Sequence, residues 1–153
     1  MDASFIDVPR QRNSREENRK IKNGELPEHW SEAKRRQKDC DARWTKKAGK
    51  AEYGYKNHIV VDEKTKLIMT RKTTAANVHD SQVFDVLLTE KDKVVYADSA
   101  YVGQTLNHDV KQEICERAYR NHPLSDEQVI ENKRKSKHRC RVEHVFGFIE
   151  TLT

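Results

Sequence analysis

Apolar residues fall along this chain in short groups, and the spacing within each group predicts a different element. Residues 1–8 read as a short extended segment in which Phe5 alternates with polar neighbours; Pro9 stops it, because proline cannot continue a strand ladder. From 10 to 50 the pattern thins to Ile21, Leu26, Trp30 and Trp44 among Arg, Lys, Glu and Asn. Such a stretch predicts one or two short polar helices, with Pro27 at a helix start, and little burial of its own. The strings YGYKNHIVVD at 53–62 and LIMTRKTT at 67–74 are rich in β-branched and aromatic residues and flank a turn-like DEKTK, so they predict a β-hairpin.

Further on, Val83, Phe84, Leu87 and Leu88 share one helical face, with Asn77 or Asp80 as the cap. The run VVYA at 94–97 is continuously apolar and predicts a strand buried on both faces, ending in Asp98. Beyond Gly103 the spacing allows a short helix near 104–110 and a strand about 114–118. Ser125 with Gln128 forms a capping box, and Leu124 with Val129 a hydrophobic staple, so a helix starts there. Val142, Val145, Phe146, Ile149 and Leu152 make one apolar stripe on a further helix. Strand, polar insert, hairpin, helix, strand, helix, strand and two helices give an α/β order compatible with a ribonuclease-H-like fold among several others.

Composition narrows the function classes. At 153 residues with 35% apolar content, the chain suits one domain, 1–153, with a modest core and much solvated surface. A formal charge of +5 and a pI near 9.1 suit a polyanionic partner without requiring one. Cys40, Cys115 and Cys140 are odd in number and lack zinc-site spacing, which points to reduced thiols in a cytoplasmic protein. The apolar runs are too short to span a membrane, and the N-terminus has no basic-then-apolar signal segment.

Three acids stand out for different reasons. Asp98 follows a buried strand, at the carboxyl end where open α/β sheets place ligand sites, although an aspartate there also caps the next turn. Glu143 lies at the edge of the apolar stripe, where its simpler role is an ion pair with Arg139 four residues earlier. Asp2 heads the first extended segment, or is an acid at a frayed end. Hard divalent ions take oxygen ligands, and two-metal phosphoryl transfer draws several carboxylates from separate elements. Spacing alone does not show that these three converge.

The strings RQKDCDARWTKK, YGYKNHIVVD, ANVHDSQVF, VYADSAYVG, RNHPL and RVEHVFG together resemble the DDE transposases of bacterial insertion sequences, specifically insertion-sequence family five. The resemblance covers nearly the whole chain. It implies a ribonuclease-H-like mixed sheet with flanking helices, here carrying the polar, basic insert after the first strand. It also implies a catalytic triad: Asp98 in the ADSAY-type motif, Glu143 in the RVEHVFG-type motif and Asp2 in the MDAS string. Two Mg²⁺ or Mn²⁺ ions about 3.5–4 Å apart would then sit on Asp2, Asp98 and Glu143 and drive DNA cleavage and strand transfer. Arg139 fits a family arginine before the third acid, whereas Ser136 and Glu150 depart from the family's Tyr and Lys. His79 and Asp80 match an HDS string near the active site, with helix capping by Asp80 as the simpler role.

The implied partner is double-stranded DNA, both terminal inverted repeats and target, with a homo-oligomer on DNA as a compatible state. Lys133, Arg134, Lys135, Lys137, Arg139 and Arg141 lie in a run with no acid between them and are the expected phosphate contacts. Trp30 and Trp44 either anchor the insert or stack on bases. Two other readings remain open. One is a truncated remnant that binds DNA without cutting, because Met1 directly precedes the first acid and the family's upstream DNA-binding region is absent. The other is a nuclease for RNA–DNA hybrids or junctions.

Overall fold

The computed structural model describes residues 1–47, 49–107 and 109–152. It is a mixed α/β fold with a central sheet flanked by helices, consistent with a ribonuclease-H-like arrangement, and it carries a basic insert after the first strand. Six strands form: β1 (Asp2–Asp7), β2 (Arg43–Lys47), β3 (Lys50–Val61), β4 (Ile68–Ala75), β5 (Val94–Ala97) and β6 (Lys111–Ile114). The helices are α1 (Arg15–Lys22), α2 (Glu32–Gln37), α3 (Phe84–Leu87) and α4 (Asp126–Thr151), with 3₁₀ turns at Asp80–Val83 and Ser99–Tyr101. One sheet runs β1-β3-β2 with β4 also on β3; the other pairs β5 with β6 in parallel. The Met1 amino group donates to Tyr96 O at 2.8 Å, which brings the head of β1 beside β5.

Contacts divide the chain into two compact units. The first comprises Met1–Ser4, Lys56–Thr74 and the chain from Val78 onward. Its core gathers Phe84 and Leu87 from α3, Val95 and Ala97 from β5, Val60 from β3, and Tyr101. Phe84 and Tyr101 meet as a tilted aromatic pair with centroids 5.0 Å apart. The second unit comprises Phe5–Tyr55 and Ala75–Asn77. Within it, β1 passes so close to β3 that a Cβ on Gly54 would lie 2.0 Å from Ile6 O, so only glycine fits. Among the described residues no helix is long and apolar enough to cross a membrane.

Several sequence expectations need correction. Pro27 does not open a helix: its carbonyl accepts Trp30 N–H, and the helix begins after the Ser31 cap. The insert also contains β2, hidden in the sequence because only Trp44 marks it as apolar. His79, not Asn77 or Asp80, caps the turn that leads into α3. β5 is buried on alternate residues rather than on both faces. No helix forms among the described residues of 104–110, where position 108 lies outside the described residues, and β6 begins at Lys111 instead of near 114. The two expected C-terminal helices are one: the capping box at Ser125 starts α4, which continues through the apolar stripe to Thr151. Of that stripe only Val142 is buried among the described residues.

Candidate nucleic-acid interface and acidic positions

Asp2 sits at the head of β1 with its side chain 22% exposed. Its Oδ1 accepts the Ala3 N–H at 2.8 Å, and its Oδ2 accepts from the Arg139 guanidinium at 3.1 Å. Burial pushes the Asp2 carboxyl above its ordinary range; the Ala3 N–H and Arg139 oppose this shift and the Asp98 charge adds to it. Asp98 follows β5, and its Oδ1 accepts the Ala100 N–H at 2.8 Å, capping the Ser99–Tyr101 turn. Glu143, on α4 and half exposed, takes the other end of Arg139 at 2.6 Å.

One guanidinium therefore bridges two of the three acids. Arg139, itself 23% exposed, reaches 137 residues back in sequence to Asp2 and one helical turn forward to Glu143. A planar fork of five donors suits this role, because it satisfies two carboxylates at once without the octahedral shell of oxygens that Mg²⁺ demands. The expected two-ion site on Asp2, Asp98 and Glu143 does not form. Among the described residues no group of three or more His, Cys, Asp and Glu side chains is placed to hold a metal ion. The donor set thus does not fit Mg²⁺ or Mn²⁺, and the reading of this chain as a metal-dependent DNA-cutting and strand-transfer enzyme is overturned with it. A backbone N–H occupies one Asp98 oxygen and an arginine holds the other two acids.

The basic run of α4 divides in two. Arg134 binds Glu113 at 2.6 Å and Glu131 at 2.9 Å, Lys135 donates to Ile114 O at 2.9 Å, and Arg139 is engaged as above. Lys133, Lys137 and Arg141 are exposed and have no side-chain partner among the described residues. Their spacing, i, i+4 and i+8, makes one ridge along the helix, about 12 Å long at about 1.5 Å per residue.

Sequence reasoning missed a polar group on β3. Lys56 on β3 donates to Asp80 Oδ1 and to Val78 O, both at 2.9 Å. His58, two residues on and fully buried, has its Nε2 2.8 Å from Thr74 Oγ1. His58 Nδ1 and the Tyr101 hydroxyl have no hydrogen-bond partner among the described residues, and burial lowers the imidazole pKa and raises that of the phenol. The signal was present in YGYKNHIVVD, where Lys56, His58 and Val60 share one strand face. A groove of about 580 Å³ also runs beside α4, where Lys64, Lys91, Lys93, Arg139 and Arg141 are interspersed with Asp62, Glu63 and Asp92.

Comparison with known proteins identifies the family of the chain. The family model described as "Transposase DDE domain" matches residues 1–153. A similar curated protein is the transposase for insertion sequence element IS1106 of Neisseria meningitidis serogroup B, 37% identical over 119 residues, which cover 72% of this chain and 40% of that protein. The chain thus spans about 40% of the length of this relative. No solved structure matches. A family match over the whole chain, on a ribonuclease-H-like arrangement, places this protein in the DDE transposase domain family.

Proposed function

We propose that this chain is a DNA-holding domain of the insertion-sequence family five kind, which in the described conformation grips duplex DNA and does not cut it. The observation that carries the reading is the split of the basic run. Three of its cations satisfy acids or a carbonyl of the fold, and the remaining three form an exposed ridge with no side-chain partner among the described residues. Phosphates are the natural complement, because a ridge about 12 Å long is on the scale of the major-groove width of B-DNA. Asp2, Asp98 and Glu143 hold the family's acid positions, and Arg139 makes their neighbourhood less repulsive to a polyanion by neutralising part of it.

The test is duplex binding followed by fluorescence anisotropy over a range of salt. Each phosphate contact contributes about 0.9 to the slope of log affinity against log salt, so the triple variant Lys133→Ala/Lys137→Ala/Arg141→Ala should lose about 2.7 of that slope. Arg134→Ala should leave the slope unchanged, because its guanidinium is committed to Glu113 and Glu131. An unchanged slope in the triple variant would refute the ridge as the DNA contact.

A further inference from the structure

The two tryptophans of the insert have opposite surroundings. Trp30 is 3% exposed, and its indole N–H donates to Glu17 Oε1. Trp44, on β2, is 51% exposed. The β2–β3 register sets Trp44 opposite Tyr53 and Lys46 opposite Ala51. Strand alternation puts these four on one face and Arg43, Thr45, Lys47 and Glu52 on the other. The Trp44 face thus shows a half-open indole and an exposed lysine, with no acid at its strand positions. The Arg10 guanidinium lies over the indole, 5.3 Å from the ring centroid, and Tyr53 leans against it at 5.2 Å.

We propose that Trp44, with Arg10 and Lys46, is a second nucleic-acid contact that stacks an unpaired DNA base while the two cations hold the flanking phosphates. An aromatic ring with two cations beside it complements a nucleotide, which joins a flat π-surface to an anion; the acid of this face, Asp39, sits at the hydroxyls of Tyr53 and Tyr55. The base must be unpaired, because inside a duplex both faces of a base are already covered by its neighbours. Arg10 is the movable part: a cation over an exposed ring is held weakly, so a base takes its place and the guanidinium turns to the phosphate. The proposal rests on the reading of the chain as a DNA binder, but it uses none of the α4 ridge.

The full chain is titrated with labelled oligo-dT of about 12 nucleotides and with a blunt duplex of the same length, and intrinsic fluorescence is followed alongside. Oligo-dT should quench the wild-type fluorescence. Trp44→Ala should abolish that quenching and weaken oligo-dT binding about 5- to 150-fold, the range for loss of one stacked base. The same variant should bind the blunt duplex within about two-fold of wild type, and Trp44→Phe should recover part of the oligo-dT affinity, with circular dichroism checking the fold of both. Duplex binding without oligo-dT quenching, or wild-type oligo-dT affinity in Trp44→Ala, overturns this proposal alone. Quenching by oligo-dT with a salt slope unchanged in the α4 triple variant overturns the ridge and leaves the Trp44 contact standing.

Discussion

Glu17 in the insert and Asp2 at the head of β1 are both carboxylates held at low exposure, and their surroundings push their protonation in opposite directions. Glu17 accepts from Trp30 Nε1, Lys34 Nζ and the Ser14 N–H, and His29 Nε2 lies 3.1 Å away. The Trp30 indole, the Ser14 N–H and Lys34 together hold its pKa well below the usual carboxylate range. Asp2 has one backbone N–H and one shared guanidinium, and burial with the Asp98 charge raises its pKa. A carboxylate used to tie a small unit together is surrounded by donors. The Asp2 carboxylate is left short of them, and Arg139 supplies part of the shortfall.

The contrast can be broken most severely in the insert. Trp30→Ala should cost about 3–5 kcal/mol, through a cavity and through a carboxylate stripped of its main donor, as read by urea unfolding. Glu17 also predicts an acid dependence. Its native pKa is depressed, so its stabilisation is present above its ordinary pKa of 4.5 and is lost as pH falls below that value. Glu17→Gln should flatten the melting temperature over that window.

Arg139→Ala comes next, at about 1.5–3 kcal/mol near neutral pH, because it leaves Asp2 buried with a single backbone donor. The sign of its pH dependence is opposite to that of Glu17. The native pKa of Asp2 is raised, so folding favours the protonated acid, and that contribution is lost as pH rises through the native value. The cost of Arg139→Ala should therefore shrink on acidification, and Asp2→Asn in the same chain should recover part of it at neutral pH. A cost that grows as pH falls would contradict the bridge.

The smallest effect belongs to His138 on α4. His138 stacks on Tyr96 with centroids 4.4 Å apart, and its Nδ1 lies 2.5 Å from Glu63 Oε1. Glu63→Gln should change stability by less than about 1 kcal/mol, because the carboxylate is half exposed and solvent screens the pair.

How much of this could be read from the sequence follows the range of each interaction. The hairpin, the existence of β5 and the Ser125 capping box were legible because β-rich runs and a four-residue cap are local, although the continuous run at 94–97 misjudged the burial of β5, which is alternate. The Arg139–Glu143 pair was legible for the same reason, being one helical turn. The Arg139–Asp2 pair was not, because no spacing rule joins residues 137 positions apart. Trp30 and Trp44 look alike in sequence and are separated only by whether Glu17 lies within reach. The six cations of α4 likewise read as one run until Glu113, Ile114 and Asp2 claim three of them. β2 escaped notice because a strand that buries so little leaves almost no apolar pattern.

The central claim is that Arg139 stands between Asp2 and Glu143 where the family resemblance implies metal ions. Isothermal titration of Mn²⁺ into the chain tests it most directly. The account predicts no stoichiometric binding in the wild-type protein. Saturable binding of two ions per chain, lost in Asp98→Asn, would contradict it.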